Sequence, residues 1–121
     1  MLPKSLTSLI LRSPLRRLIS GKTMLITVIG RKSGTRYTTP VHYAQRNDRL
    51  YLVSRDDRTW WQNLRGGGAV TVLVRGDTWT GVGRPVTGLD DIRRAQSIFE
   101  MTSLADAARA PGAVLIEVIL D

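Results

Sequence analysis

The hydrophobic positions of this chain fall into short runs, broken at close intervals by glycine, proline or paired polar residues. Residues 24–29 (MLITVI) are apolar but for one threonine, short and partly β-branched, which predicts a buried strand. Residues 37–44 alternate well enough for a second strand. Pro40 interrupts them and has no N–H to give to a ladder, which predicts an edge position or a bulge. Residues 46–48 (RND) read as a hairpin turn into a third strand at 50–53. A helical turn over 58–64 follows, ended by Gly66-Gly67-Gly68. A fourth strand is expected at 70–74, a hairpin at Gly76-Asp77 and a fifth strand at 79–86. Residues 90–110 carry Ile92, Ala95, Phe99 and Leu104 at roughly helical spacing, one or two helices stopped by Pro111-Gly112. Residues 114–120 (VLIEVIL) close the chain as a sixth strand. Strands joined mostly by hairpins, with a short helix between the third and fourth, predict a small antiparallel β-barrel with flanking helices. The class is mainly β, and a doubly wound sheet is not expected. Residues 1–20 read as an amphipathic helical segment interrupted near Pro14, so that 1–121 is one domain with the barrel at 23–121.

Composition narrows the chemistry. The chain has 121 residues, no cysteine and one histidine, His42. A disulfide framework, a thiolate metal site and a His-rich metal site are therefore not expected. With one histidine and no GxSxG, no Ser-His-Asp set is expected either. No apolar run is long enough to span a bilayer. Residues 1–20 are too interrupted by Arg and Pro for a secretory signal, so the expected compartment is the cytoplasm. The net charge is +8 and unevenly placed: nine cations and no acid precede Asp48, while nine cations and ten acids run from Asp48 to the end. The amino-terminal third thus attracts a polyanion, a phosphorylated ligand or an anionic membrane face. No helix-turn-helix, zinc finger or RNP aromatic pattern accompanies the charge, so no nucleic-acid partner is expected.

Two stretches carry most of the candidate chemistry. GRKSG, residues 30–34, follows the first strand. Its glycines let backbone N–H groups approach a ligand. Arg31 and Lys32 supply charge, and Ser33 a hydroxyl. Alone it reads more readily as a solvated basic turn than as a phosphate site. TWWQNL, residues 59–64, sets Trp60 and Trp61 about 100° apart if it is α-helical. Both rings can be core, or one can line a pocket and stack on a flat ligand. His42, between Val41 and Tyr43, reads as a structural residue more readily than as a ligand. The pairs Asp56-Asp57 and Asp90-Asp91 look like turn and helix-start chemistry.

Taken in order, GRKSG, TTPV, a strand ending VS, WWQNL and VTV resemble the deazaflavin (F-420)-dependent nitroreductase and quinone reductase family, over about residues 9–86. The resemblance implies a split β-barrel of the FMN-binding, pyridoxine-phosphate-oxidase-like type. It implies that Arg31, Lys32, Ser33 and Gly34 hold the phosphate and acidic tail of coenzyme F-420. The strand Tyr37, Thr38, Thr39, Pro40, Val41 and His42 would run beneath the deazaflavin. Val53, Ser54, Arg55, Thr59, Trp60, Trp61 and Asn63 would line the ring pocket. The implied activity is hydride transfer from the reduced cofactor to a quinone, a nitroaromatic or an activated enone.

Two departures stand out. The family often has a glycine pair and a proline where this chain has Arg55-Asp56-Asp57-Arg58. Several members carry a tyrosine in the carboxy-terminal part, whereas this chain has none after Tyr51. The alternatives are an FMN-binding barrel of the same class, and a non-catalytic carrier of a lipid or anionic ligand in the same groove. The expected partner is a small-molecule electron acceptor, and the chain is read as a monomer or homodimer. Residues 1–20 either pack across the open side of the barrel or touch an anionic membrane peripherally.

Overall fold

In a computed structural model the described residues are 23–100 and 102–121; the helical segment read at 1–20 lies outside them. Six strands are present: β1 (Thr23–Ile29), β2 (Arg36–Arg46), β3 (Arg49–Arg55), β4 (Gly68–Val74), β5 (Asp77–Pro85) and β6 (Ala113–Leu120). A 3-10 helix, Trp60–Leu64, lies between β3 and β4. Helices α1 (Leu89–Phe99) and α2 (Ala105–Arg109) lie between β5 and β6. The strands close as β1-β2-β3-β6-β5-β4, every pair antiparallel.

Strand alternation sorts the side chains. Ile26 and Val28 of β1 pair with Val72 and Val70 of β4, and with Met24 they face the barrel interior. There they meet Leu50, Leu52, Ile116 and Val118, all fully or nearly fully buried. The outer residues of β3 and β6, Tyr51 and Leu115, form a second core with Ala95, Phe99 and Ala108 of the two helices. The helices therefore clothe one side of the barrel. On β6, Glu117 takes Arg49 and Arg84 at 3.3 Å each, tying three adjacent strands together. The carboxylate raises the pKa of the Arg49 guanidinium further.

Local turns explain the hairpins. Asn47, at φ 58, makes the β2–β3 turn, a left-handed position that asparagine tolerates. The β4–β5 turn consists of Arg75 (φ 49) and Gly76 (φ 81), and Asp77 already pairs with Val74. That corrects the expected Gly76-Asp77 turn by one residue. Positive φ at both central residues matches the right-handed twist of the flanking strands. Gly68 opens β4 instead of ending the helical turn, and β5 stops at Pro85, one residue before the expected Val86.

The barrel is split on one side. β2 pairs with β1 from Arg36 to His42, but with β3 only from Tyr43 to Arg46. Over 36–42 it has a single neighbouring strand, and Pro40 sits on that stretch, as a residue without an N–H requires. The 3-10 helix packs beside this opening. No helix among the described residues is long and apolar enough to cross a membrane.

Candidate functional site

The basic turn is shaped by its own backbone. Gly30 N–H donates to the Thr35 carbonyl at 2.8 Å, and Gly34 N–H to the Gly30 carbonyl at 2.9 Å. A Cβ on Gly30 would stand 2.8 Å from the Tyr37 ring and 3.0 Å from Ser33 Oγ, so a larger residue here would push both side chains aside. Gly34 takes φ +70. Thr35 N–H donates to Ser33 Oγ at 3.1 Å, which fixes the serine over the turn.

The turn is tied to the 3-10 helix by Asn63. Its Oδ1 accepts from Arg31 N–H at 3.1 Å, and its Nδ2 donates to the Trp60 carbonyl at 3.1 Å. Between turn, β2 and helix lies a groove of about 670 Å³. Arg31, Lys32, Ser33, Tyr37, Thr38, Thr39, Thr59, Trp60 and Asn63 line it, all of them expected from the sequence. Gly30, Gln62 and Arg65 join them. Three cations face this space and no carboxylate does.

A 3-10 helix has three residues per turn, and this period sorts the stretch. Trp61 and Leu64 share the inward face and are buried. Trp61 Nε1 donates to the Arg55 carbonyl at 2.9 Å. Thr59, Gln62 and Arg65 share another face, and Trp60 and Asn63 a third, both turned to the groove. The family resemblance does not point to Gln62 and Arg65; a three-residue period from Thr59 finds them.

The remaining expected residues do not line this groove. Gly34 belongs to the turn but leaves its wall to Ser33. Val41 points into the barrel core. Pro40 and His42 are exposed, and His42 Nδ1 lies 3.1 Å from Thr23 Oγ1. Six successive strand residues alternate between two faces, so they cannot all meet one ligand. Val53 packs in the cluster under the helices, Ser54 is buried, and Arg55 is an exposed residue beside Asp57. Trp61 faces away from the groove. Among the described residues no group of three or more His, Cys, Asp or Glu could hold a metal ion.

The model of one protein family, described as F420H(2)-dependent quinone reductase, matches residues 12–111. The chain belongs to that family. A comparison with curated proteins gives no match. Among solved structures, an F420-H2 dependent reductase (FDR-A) is 17% identical with TM-score 0.58, covering 80% of this chain and 93% of its own. General stress protein 26 from Bacillus anthracis str. Sterne is 15% identical with TM-score 0.65, covering 90% and 91%. A FAD-binding protein from Mesorhizobium loti is 17% identical with TM-score 0.63, covering 90% of each chain. At such identities these likenesses establish the split-barrel fold.

The chain is thus an oxidoreductase of the F-420-dependent quinone reductase family, with coenzyme F-420 as its cofactor. The groove fits such a group. It is rich in donors and free of carboxylates. Its volume of about 670 Å³ is in the range of pockets that hold ligands of this size.

Proposed function

We infer that this enzyme reduces a quinone, and by the same chemistry nitroaromatics or activated enones, in the groove between the basic turn and the 3-10 helix. The observation that carries this reading is the carboxylate-free wall of Arg31, Lys32 and Arg65, held to the helix through Asn63. Arg31, Lys32 and Ser33 bind the phosphate and acidic tail of the cofactor, with Arg65 adding charge beyond a single phosphate site. Tyr37, Thr38 and Thr39 on one wall and Thr59, Trp60 and Asn63 on the other hold the ring.

When bound, the reduced deazaflavin supplies two electrons as a hydride. The residues of the chain bind and orient. Trp60, half-buried at the groove, offers an indole against which a flat acceptor or ring packs. A quinone that takes up a hydride also needs one proton. The groove is open to solvent, so water delivers it without a dedicated side chain.

The test is a fluorescence titration with oxidised F-420 of the wild type and of the double variant Arg31→Ala, Lys32→Ala. Loss of two cations from the tail site should weaken binding about a hundredfold or more. Unchanged affinity would remove the tail from this turn. A screen of quinones, nitroaromatics and enones with the reduced cofactor then reads the acceptor class.

A further inference from the structure

A second groove, also of about 670 Å³, opens on the other side of the 3-10 helix, between that helix, the end of β5, α1, α2 and the start of β6. Its apolar wall is built from Trp61, Val86, Ile92, Ala108 and Leu115. Ala108 of α2 and Ala110 just after it line the groove, where larger residues would fill the space. Two guanidiniums stand on the groove, Arg65 and Arg84, and no carboxylate lines it.

The two cations differ in what they already hold. Arg84 donates to Glu117 Oε1 at 3.3 Å and is more than half exposed, so other N–H groups of its fork stay available. Arg65 lies over the Trp61 ring, 5.2 Å from its centroid, and makes no ion pair among the described residues. The amino-terminal segment cannot supply its counter-ion either, because no acid precedes Asp48. A groove with an apolar wall, one guanidinium shared with Glu117 and one without an ion pair among the described residues is complementary to an amphipathic anion.

We propose that this groove is a second ligand site, distinct from the cofactor groove, that takes an amphipathic carboxylic acid. The apolar body lies on Ile92, Ala108 and Leu115. The carboxylate is gripped by the Arg65 and Arg84 forks, whose planar geometry matches two carboxylate oxygens. The acid enters without a hydride and leaves unchanged; the site binds and does no chemistry. A compact aromatic acid and an extended fatty acid share this head and differ only in body.

The experiment uses the full chain without cofactor. Calorimetric titrations are run with 2-naphthoate and with dodecanoate, and with the alcohol and the ammonium of each body as controls. Binding of either acid supports the site, and the tighter one gives the shape of the body. The alcohols should bind about tenfold more weakly and the ammoniums more weakly still. Arg65→Gln combined with Arg84→Gln should weaken the acid by about tenfold or more. Ala110→Leu, at the rim, should weaken the acid at least as much while F-420 affinity stays within about twofold. Melting curves of each variant separate lost binding from lost fold. Failure of both acids to bind, equal binding of acid and alcohol, or full affinity in the double arginine variant would overturn the proposal. So would an acid that F-420 displaces completely while Ala110→Leu leaves its affinity intact. None of these results depends on which acceptor the enzyme reduces.

Discussion

Replacing Asn63 by alanine removes the side chain through which the basic turn and the 3-10 helix hold each other. Two hydrogen bonds are lost, from Arg31 N–H and to the Trp60 carbonyl, each at 3.1 Å. A bond of this kind contributes about 1 kcal/mol net, and water replaces part of it at a half-buried site, so the loss should be about 1–2 kcal/mol. In a domain of this size that lowers Tm by roughly 4–10 °C. The same 1–2 kcal/mol appears in cofactor binding if the turn must then be ordered by the ligand, a weakening of about 5–30-fold in Kd. Asn63→Asp separates shape from charge. It keeps an acceptor for Arg31 N–H, loses the donor to Trp60, and brings an anion into a wall of three cations. Its F-420 affinity should fall further than that of the alanine variant at low salt and approach it at high salt. The assays are thermal melting and fluorescence titration with oxidised F-420 on the same samples. An alanine variant that melts lower but binds within about twofold of wild type would refute the idea that the clamp shapes the groove.

Other expectations follow from the same geometry. F-420 affinity should fall about tenfold or more between 0.05 and 0.5 M salt, because solvent-facing cations are screened within about 10 Å at 0.1 M; a salt-independent Kd would argue against charge capture. Gly81→Ala should destabilise the barrel by about 3 kcal/mol, because its Cβ would overlap the Ile119 carbonyl and lie 3.1 Å from Leu120 Cα, both backbone atoms of the paired strand. A melting point unchanged from wild type would show that β5 and β6 can separate at this point without loss.

The strands are legible because each combines alternation or a short apolar run with a turn at its end, as at Asn47 or, displaced by one residue, at Gly76. Their closure is less so. β6 inserts between β3 and β5, a pairing between distant segments that no local pattern encodes. The basic turn stood out because glycines and cations concentrate there after an apolar strand. Arg65 and Gln62 are not part of the motif that carries the resemblance, and only the three-residue period of the 3-10 helix brings them to the groove. The resemblance implies that the whole strand 37–42 is a ligand wall, whereas alternation sends Val41 into the core and leaves His42 exposed. The second groove left no mark in the sequence, because residues such as Ala108, Ala110 and Leu115 carry no chemistry until the fold spaces them around a void.

Arg65 lines both grooves, and a single guanidinium carries a single charge. Whatever anion it neutralises on one side of the 3-10 helix, it serves less well on the other. Linkage makes that penalty symmetrical: an acid that lowers the affinity for F-420 by some factor has its own affinity lowered by F-420 by the same factor. With both grooves in use, the 3-10 helix is a partition across which the two ligands report on each other.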